Sequence, residues 1–326
     1  MRIFVAGASG AIGSRLVPQL IERGHEVIGT STSRESAERV RSLGAEAITL
    51  DLLDSRAVRE AVLETEPDAI VHQATALGDQ HFSRNFDRIF AQTNRLRTEG
   101  TDALLAAARD AGVQRFVAQS FASPRYARVG GPVKTEDDPL DPTPVPAMRE
   151  TTAALRYLDQ AVTDAVGIAL RYGGFYGAAN DGMVEPVRKR RFPIVGDGGG
   201  VSSFIHLDDA AAATVLALEH DGASIYNIVD DEPAPVSEWL PVLADVLGAK
   251  PPRHVPRWLA RLVAGEAVVM MGTDSRGASN AKAQRELGWE LRYPSWRQGF
   301  VSVYGSTSPT DGGEPRPAAP AGHSAT

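Results

Sequence analysis

The chain opens with Met1-Arg-Ile-Phe-Val-Ala-Gly7-Ala-Ser-Gly10-Ala-Ile-Gly13, where the apolar run Ile3 to Ala6 leads straight into three glycines spaced three apart. That run has the content of a short buried strand. From Ala11 to Arg23 the residues Ile12, Leu16, Leu20 and Ile21 fall on one helical face. Strand, glycine turn and helix in this order make an anion site. Glycine lets the backbone approach a diphosphate, and unpaired N–H groups at the helix start receive its charge. A glycine pattern alone is weak, but the strand before it and the helix after it give it meaning. A tight turn without a ligand is the alternative. The reading adopted is a dinucleotide cradle formed by Gly7, Ser9, Gly10, Ala11, Ile12 and Gly13.

Beyond this opening, strand and helix patterns alternate. Ile3–Ala6, Glu26–Gly29, Ala47–Leu50, Ala69–His72, Phe116–Gln119 and Ile168–Arg171 read as buried strands. Helices fill the gaps, notably Ala57–Glu64, Phe86–Ala111 and Arg149–Thr163. The alternation predicts an α/β fold: a doubly wound parallel sheet of the Rossmann type. Five prolines and several acids between Pro132 and Pro146 predict a loop. After Arg171 the pattern loosens into the turns Gly173–Gly177 and Gly196–Gly200. Short helices follow at Asp208–Leu218, Ser237–Leu247, Pro256–Val263 and Ala281–Leu287. The expected organisation is a dinucleotide-binding domain over residues 1–171 and a smaller C-terminal substrate-binding lobe over 172–304, which returns some elements to the sheet. A tail rich in Pro, Gly, Ser, Thr and Ala, residues 305–326, is expected to be disordered.

With 326 residues the chain is long enough to bury a large core. Its formal net charge of −7 argues against a nucleic-acid partner, which calls for a basic footprint. The one dense basic run, Arg188-Lys-Arg-Arg191, suits a solvated helix end or a contact for an anionic substrate group. No cysteine occurs, which excludes disulfides, thiolate zinc sites and thiol nucleophiles. His206 with Asp208 and Asp209 lacks a third well-spaced histidine, so no metal is expected. His206 and His72 are read as structural. Val263–Gly272 is apolar but broken by Glu266 and far short of a membrane span. A strand that begins within two residues of Met1 points to a cytoplasmic location without membrane association.

Further motifs follow the glycine turn. Asp51-Leu52 comes after the third strand, His72-Gln-Ala-Thr75 ends the fourth, and Asn94 and Gly100-Thr101 lie on the long helix. Then come Leu170-Arg-Tyr-Gly-Gly-Phe-Tyr-Gly177, Phe204-Ile-His-Leu-Asp-Asp209, Tyr226-Asn-Ile-Val229 and Arg285-Glu-Leu-Gly-Trp289. In this order the chain resembles the extended short-chain dehydrogenase/reductase superfamily, which contains nucleotide-sugar epimerases and dehydratases. The resemblance implies that Asp51 and Leu52 touch the adenine and that Gln73, Ala74, Thr75 and Ala76 run beneath the nicotinamide ribose. It implies that Asn94, Gln119, Ser120, Tyr172, Gly174 and Phe175 complete the cofactor site. It also implies a small-molecule substrate and a monomer or homodimer, pairing through helices around Leu104–Ala108 and Ala153–Leu158 that would equally suit a core.

The superfamily's working pair is Tyr-x-x-x-Lys on the fifth helix, with a Ser or Thr just after the fifth strand. The tyrosine moves the proton; the lysine holds the ribose and lowers the tyrosine pKa. Here the helix reads Ala147-Met-Arg-Glu-Thr-Thr-Ala-Ala-Leu-Arg-Tyr-Leu-Asp159. The pair's positions fall on Thr151 and Leu155, or on Pro146 and Glu150, and neither register supplies a tyrosine or a lysine. Tyr126 and Tyr157 also lack a lysine four residues on. Hydride reaching a carbonyl carbon leaves an alkoxide, and a positioned acid is worth roughly 10²–10⁴-fold in rate. The replacement candidates are Ser120, Tyr172 and Tyr176. Against them stand a strand-exit cap for Ser120 and packing against the cofactor for the tyrosines.

NAD sites usually hold the ribose with an acid at the end of the second strand. Here that strand leaves as Gly29-Thr-Ser31-Thr-Ser33-Arg34, with no carboxylate before Glu35. Ser31, Ser33 and Arg34 suit an additional phosphate, so NADP(H) is favoured, with NAD(H) as the alternative. Ser33 equally suits a helix N-cap. The leading expectation is an NADP(H)-dependent oxidoreductase that reduces a ketone of a bulky aromatic or polyketide-like molecule. A nucleotide-sugar epimerase or dehydratase must first oxidise an unactivated alcohol, which needs a base. A non-catalytic NAD(P)-binding sensor would not need the landmarks between Arg171 and Tyr226. Pro256–Gly265 and Glu266–Met271 are expected to form a helical pair, either a lid over a greasy substrate or ordinary core.

Overall fold

Ile3-Phe-Val-Ala6 and Ala69-Ile-Val-His72 are buried at every position, the pattern of strands covered on both faces. The computed structural model of the protein describes residues 1–77, 86–123, 125–178 and 182–305. Its central sheet has seven parallel strands: β1 (Arg2–Ala6), β2 (Glu26–Ser31), β3 (Glu46–Thr49), β4 (Ala69–His72), β5 (Arg115–Phe121), β6 (Ile168–Tyr172) and β7 (Ser224–Ile228). They lie side by side as β7-β6-β5-β4-β1-β2-β3. Ile3 is in register with Val27 on one side and Ala69 on the other, so the order reverses at β1. A crevice outside the carboxyl ends of β1 and β4 follows from that reversal.

The first half carries helices α1 (Gly13–Glu22), α2 (Arg34–Ser42), α3 (Ser55–Thr65), α4 (Phe86–Arg95), α5 (Thr101–Ala111) and α6 (Arg149–Asp164). The second half carries α7 (Val184–Arg188), α8 (Leu207–Glu219), α9 (Val236–Val246), α10 (Arg257–Ala264), α11 (Glu266–Thr273), α12 (Ala281–Leu287) and α13 (Trp296–Tyr304). On one face of the sheet, Leu16, Val17 and Leu20 of α1 share a core with Ala210, Ala213 and Ala217 of α8. On the other, Val58 and Val62 of α3 meet Leu104 and Ala107 of α5 and Leu158 and Val162 of α6. Leu104, Ala107, Ala108, Ala154, Leu155 and Leu158 are all buried within the chain, so most of the apolar surface on these helices belongs to the core.

Several expectations shift in detail. The first helix starts at Gly13 rather than Ala11, because Ala11 and Ile12 stay in the turn. The long helix over 86–111 is continuous but passes through a π-helical turn, Leu96–Gly100. The 132–146 loop contains a short strand, Val133–Lys134, paired with Gly277–Ala278, and Pro146 already belongs to a 3₁₀ turn. Gly174–Tyr176, read as a turn, is a short strand parallel to Phe204–His206. Tyr226 to Ile228, read as part of the substrate lobe, lies in β7 beside β6, and α8 returns to pack on α1. Tyr176, Phe204, Trp239, Trp296 and Phe300 form a separate aromatic core in the second half of the chain. In α11, Met270 packs against Phe86 and Met148, while Trp258 of α10 is exposed. The expected tail, apart from Gly305, lies outside the described residues.

Candidate active site

β1 ends on Gly7, whose φ of +85° L side chains rarely adopt. A Cβ there would fall 2.7 Å from the Ala74 backbone at the exit of β4. At Gly13 a Cβ would meet the carbonyl oxygens of Gly7 and Ala8 at 2.5 Å, so α1 starts directly against the turn. Gly10 and Ala11 are exposed, Ser9 is half-buried and Ile12 is in the core. α1 has no side-chain cap, and the N–H groups of Ala11, Ile12 and Gly13 bond to nothing among the described residues. Unpaired donors at the positive end of a helix, with no Cβ between them and the crevice at Gly10, suit a diphosphate.

At the end of β2, Thr30 Oγ1 accepts the Gly7 N–H at 3.3 Å. Ser31 Oγ donates to the Ser33 carbonyl, and Ser33 Oγ accepts from Ser36 N at 3.1 Å as the N-cap of α2. Both hydroxyls thus serve the chain's own turn. Arg34 is exposed, with no ion pair among the described residues, while Glu35 is held by Arg39 at 2.9 Å. Of these two neighbouring charges the uncompensated one is positive. Asp51 Oδ1 accepts the Leu53 N–H, and Leu52 is buried beside Gly100.

Beyond β4, Ala74 backs Gly7, Thr75 is half-buried, and the Ala76 N–H donates to Thr93 Oγ1 at 3.0 Å. Asn94 Nδ2 donates to Thr151 Oγ1 at 3.1 Å, and Thr151 Oγ1 donates to Asp87 at 2.7 Å. Asp87 also accepts the N–H groups of Glu150 and Thr151 and so caps α6. Since Pro146 precedes α6, only the Thr151/Leu155 register keeps both positions on the helix. Both residues are buried. Gln119 is half-buried on β5, and the Phe175 ring lies 5.4 Å from that of Tyr172 in the segment that begins at Gly174.

The three proton-donor candidates, Ser120, Tyr172 and Tyr176, are all buried. Tyr172 is sealed: its hydroxyl meets Thr214 Oγ1 at 2.6 Å and accepts from Gln73 Nε2 at 3.2 Å. Burial pushes its pKa up to about 12. Tyr176 is equally buried, edge-on to His206 and Phe300, with its hydroxyl against Gly299 of α13. Desolvation raises its pKa, as do Asp230 and Asp209. Ser120 is buried too, donating to Asp159 at 2.6 Å and accepting from Arg125 at 3.0 Å. None of these hydroxyls is presented to the crevice. His72 is structural: Nε2 bonds the Leu96 carbonyl, Nδ1 faces the Ala74 N–H, and burial lowers its pKa to about 4. His206 caps α8 through Nδ1 and stacks on Tyr293 at 4.0 Å. Among the described residues no group of acids and histidines could hold a metal ion.

A buried charged network escaped the sequence reading. Asp159 of α6 pairs with Arg125 at 2.6 Å and with Arg171 of β6 at 2.9 Å; Arg171 also donates to Tyr126, which donates to Asn227. A third buried arginine, Arg97, stands in the π turn. Arg171 in the middle of the apolar run Ile168-Ala-Leu-Arg-Tyr172 was the available signal, because a charge inside a buried strand requires a partner.

A model of the NAD dependent epimerase/dehydratase family matches residues 3–229, and the chain belongs to that family. It is 42% identical over 311 residues to the 3-diazoavenalumate denitrifying reductase of a Streptomyces species, covering 92% of this chain and 99% of that one. It is 28% identical over 322 residues to the 4-hydroxy-2-methyl-3-oxo-4-farnesyl-3,4-dihydroquinoline-1-oxide ketoreductase of Stigmatella aurantiaca, covering 90% and 92%. Among solved structures it is similar in fold to the UDP-glucose 4-epimerase of Thermotoga maritima with UDP-glucose, at a TM-score of 0.74, 22% identity and 93% and 97% coverage. Among the described residues no helix is long and apolar enough to cross a membrane.

Proposed function

We propose that the protein is an NADP(H)-dependent reductase of a bulky aromatic small molecule, and that it acts on a group able to accept hydride without an acid from the protein. The observation that carries this reading is the buried Thr151 and Leu155 where the acid pair would stand, with Ser120, Tyr172 and Tyr176 all turned into the core. When bound, the reduced nicotinamide supplies the hydride. Gly7, Gly10 and Gly13 would admit its diphosphate, Asp51 and Leu52 would flank the adenine, and Gln73 to Ala76, Asn94, Gln119, Gly174 and Phe175 would line the nicotinamide end. Arg34 supports NADP(H) over NAD(H), since its charge is uncompensated while that of Glu35 is not.

Acceptor chemistry follows from proton accounting. A ketone consumes one proton for each hydride. An aryl diazonium group consumes none: hydride cancels its positive charge, and the added hydrogen ends on carbon as dinitrogen leaves. The 42% identity to a denitrifying reductase of a diazo acid makes this acceptor the favoured one. A ketone that carries its own hydroxyl is the second reading, supported by the ketoreductase relative. The test follows reduced-nicotinamide absorbance and proton uptake together, with an aryl diazonium acid, an aromatic ketone and UDP-glucose as substrates. Oxidation of NADPH by the diazonium acid without proton uptake is expected. Turnover of the sugar alone would overturn the proposal.

A further inference from the structure

On the long helix, Asp87, Asn94, Arg97 and Thr101 are buried polar residues, and Asp87 and Asn94 bond to α6. Asp87 is consumed by the start of α6, and Asn94 bridges to Thr151. Arg97 is left over. It is 5% exposed, yet a single hydrogen bond is formed by its guanidinium, from Nη1 to Asn94 Oδ1 at 3.3 Å, and no ion pair reaches it among the described residues. The nearby carboxylate Asp159 is already shared by Arg125 and Arg171. The remaining nitrogens of Arg97 are not among the fully sealed, unbonded atoms, whereas Arg125 Nε is. Its guanidinium lies 5.8 Å from the centre of the Phe90 ring, and Phe90 stacks on Phe86 at 4.5 Å. Phe86 belongs to an apolar cluster with Val145, Met148, Ala267 and Met270.

Burying a guanidinium without an anion is costly, and a planar fork with free donors matches a carboxylate. Burial and Arg125 pull its pKa down to about 10, which leaves it charged at neutral pH. A π turn such as Leu96–Gly100 inside a long helix often marks a functional position. We propose that Arg97 is a substrate-binding residue that receives the carboxylate of an aromatic acid whose ring lies on the Phe86–Phe90 side of the site. This rests on the reading of the protein as a reductase of aromatic substrates and narrows that class to aryl carboxylates.

Isothermal titration of trans-cinnamate and of its methyl ester into the NADP⁺-loaded protein tests it. Cinnamate should bind at least about tenfold more tightly than the ester, and Arg97→Gln should erase that difference while NADP⁺ affinity is kept. Arg97→Lys, which preserves the charge if Gln disturbs folding, should retain part of it. Equal affinity of acid and ester, or an unchanged preference in both variants, would overturn the assignment. Cinnamate titrated without cofactor reads the same site. A failure of NADP⁺ uptake would therefore sink the reductase reading and leave the Arg97 result to stand or fall separately.

Discussion

Tyr172 shows how far a residue's role depends on neighbours distant in sequence. Its place on the sixth strand suggested a hydroxyl facing a cofactor; the structure buries that hydroxyl against Thr214, 42 residues away. Tyr172→Phe should therefore cost about 1–2 kcal/mol of stability, read as a lower melting temperature, and leave hydride transfer unchanged. A hundredfold-scale loss of rate in the folded variant, about the worth of a catalytic acid, would return Tyr172 to the mechanism. Asp230 makes a second prediction. Burial, first of all, lifts its pKa from 3.8 to about 8, and its Oδ2 has no hydrogen-bond partner among the described residues. The folded state thus holds a proton that the unfolded state has lost. The contribution of Asp230 to stability is fullest below about pH 4 and is lost as pH rises through about 8. Asp230→Asn should raise the melting temperature at alkaline pH and flatten this slope. His72 acts in the opposite direction: its pKa falls from 6.5 to about 4, so its contribution is present above 6.5 and is lost on acidification toward 4.

At the scale of elements, local chemistry was the most legible. The glycine turn reads directly from sequence because Gly7 needs positive φ and Gly13 needs the space of a missing Cβ, both properties of the residue itself. Ser33, assigned from sequence to an additional phosphate with a cap as the alternative, is the N-cap of α2. Ser33→Ala should remove about 1 kcal/mol from α2 and the fold without altering cofactor choice. Arg34→Gln, by contrast, should leave stability unchanged and cut the NADPH-over-NADH preference about tenfold in kcat/KM. A preference unaffected by Arg34 would remove the structural support for NADP(H). Less was legible where an element's place is set by tertiary pairing. Ser224–Ile228 carries no mark that it joins the main sheet beside β6, and nothing in the periodicity of the long helix announces the π turn that holds Arg97.

Across the whole molecule, the order β7-β6-β5-β4-β1-β2-β3 sets the cofactor crevice, and the buried Arg125–Asp159–Arg171 cluster ties α6 to β6 beneath it. Removing the shared carboxylate leaves two buried cations unpaired. Asp159→Asn should destabilise the protein by about 3–5 kcal/mol in denaturant unfolding; a loss below about 1 kcal/mol would show the cluster to be dispensable. The same cluster turns Ser120 inward, and with the sealed tyrosines it supports the proposal that hydride transfer proceeds without an acid from Ser120, Tyr172 or Tyr176. Single-turnover oxidation of NADPH by an aryl diazonium acid, compared in light and heavy water between about pH 6 and pH 9, measures this most directly. The rate should be flat with pH and insensitive to solvent deuterium, but slowed by deuterium at the transferring position of NADPH. A clear solvent isotope effect, with a rate that follows one titrating group, would contradict it.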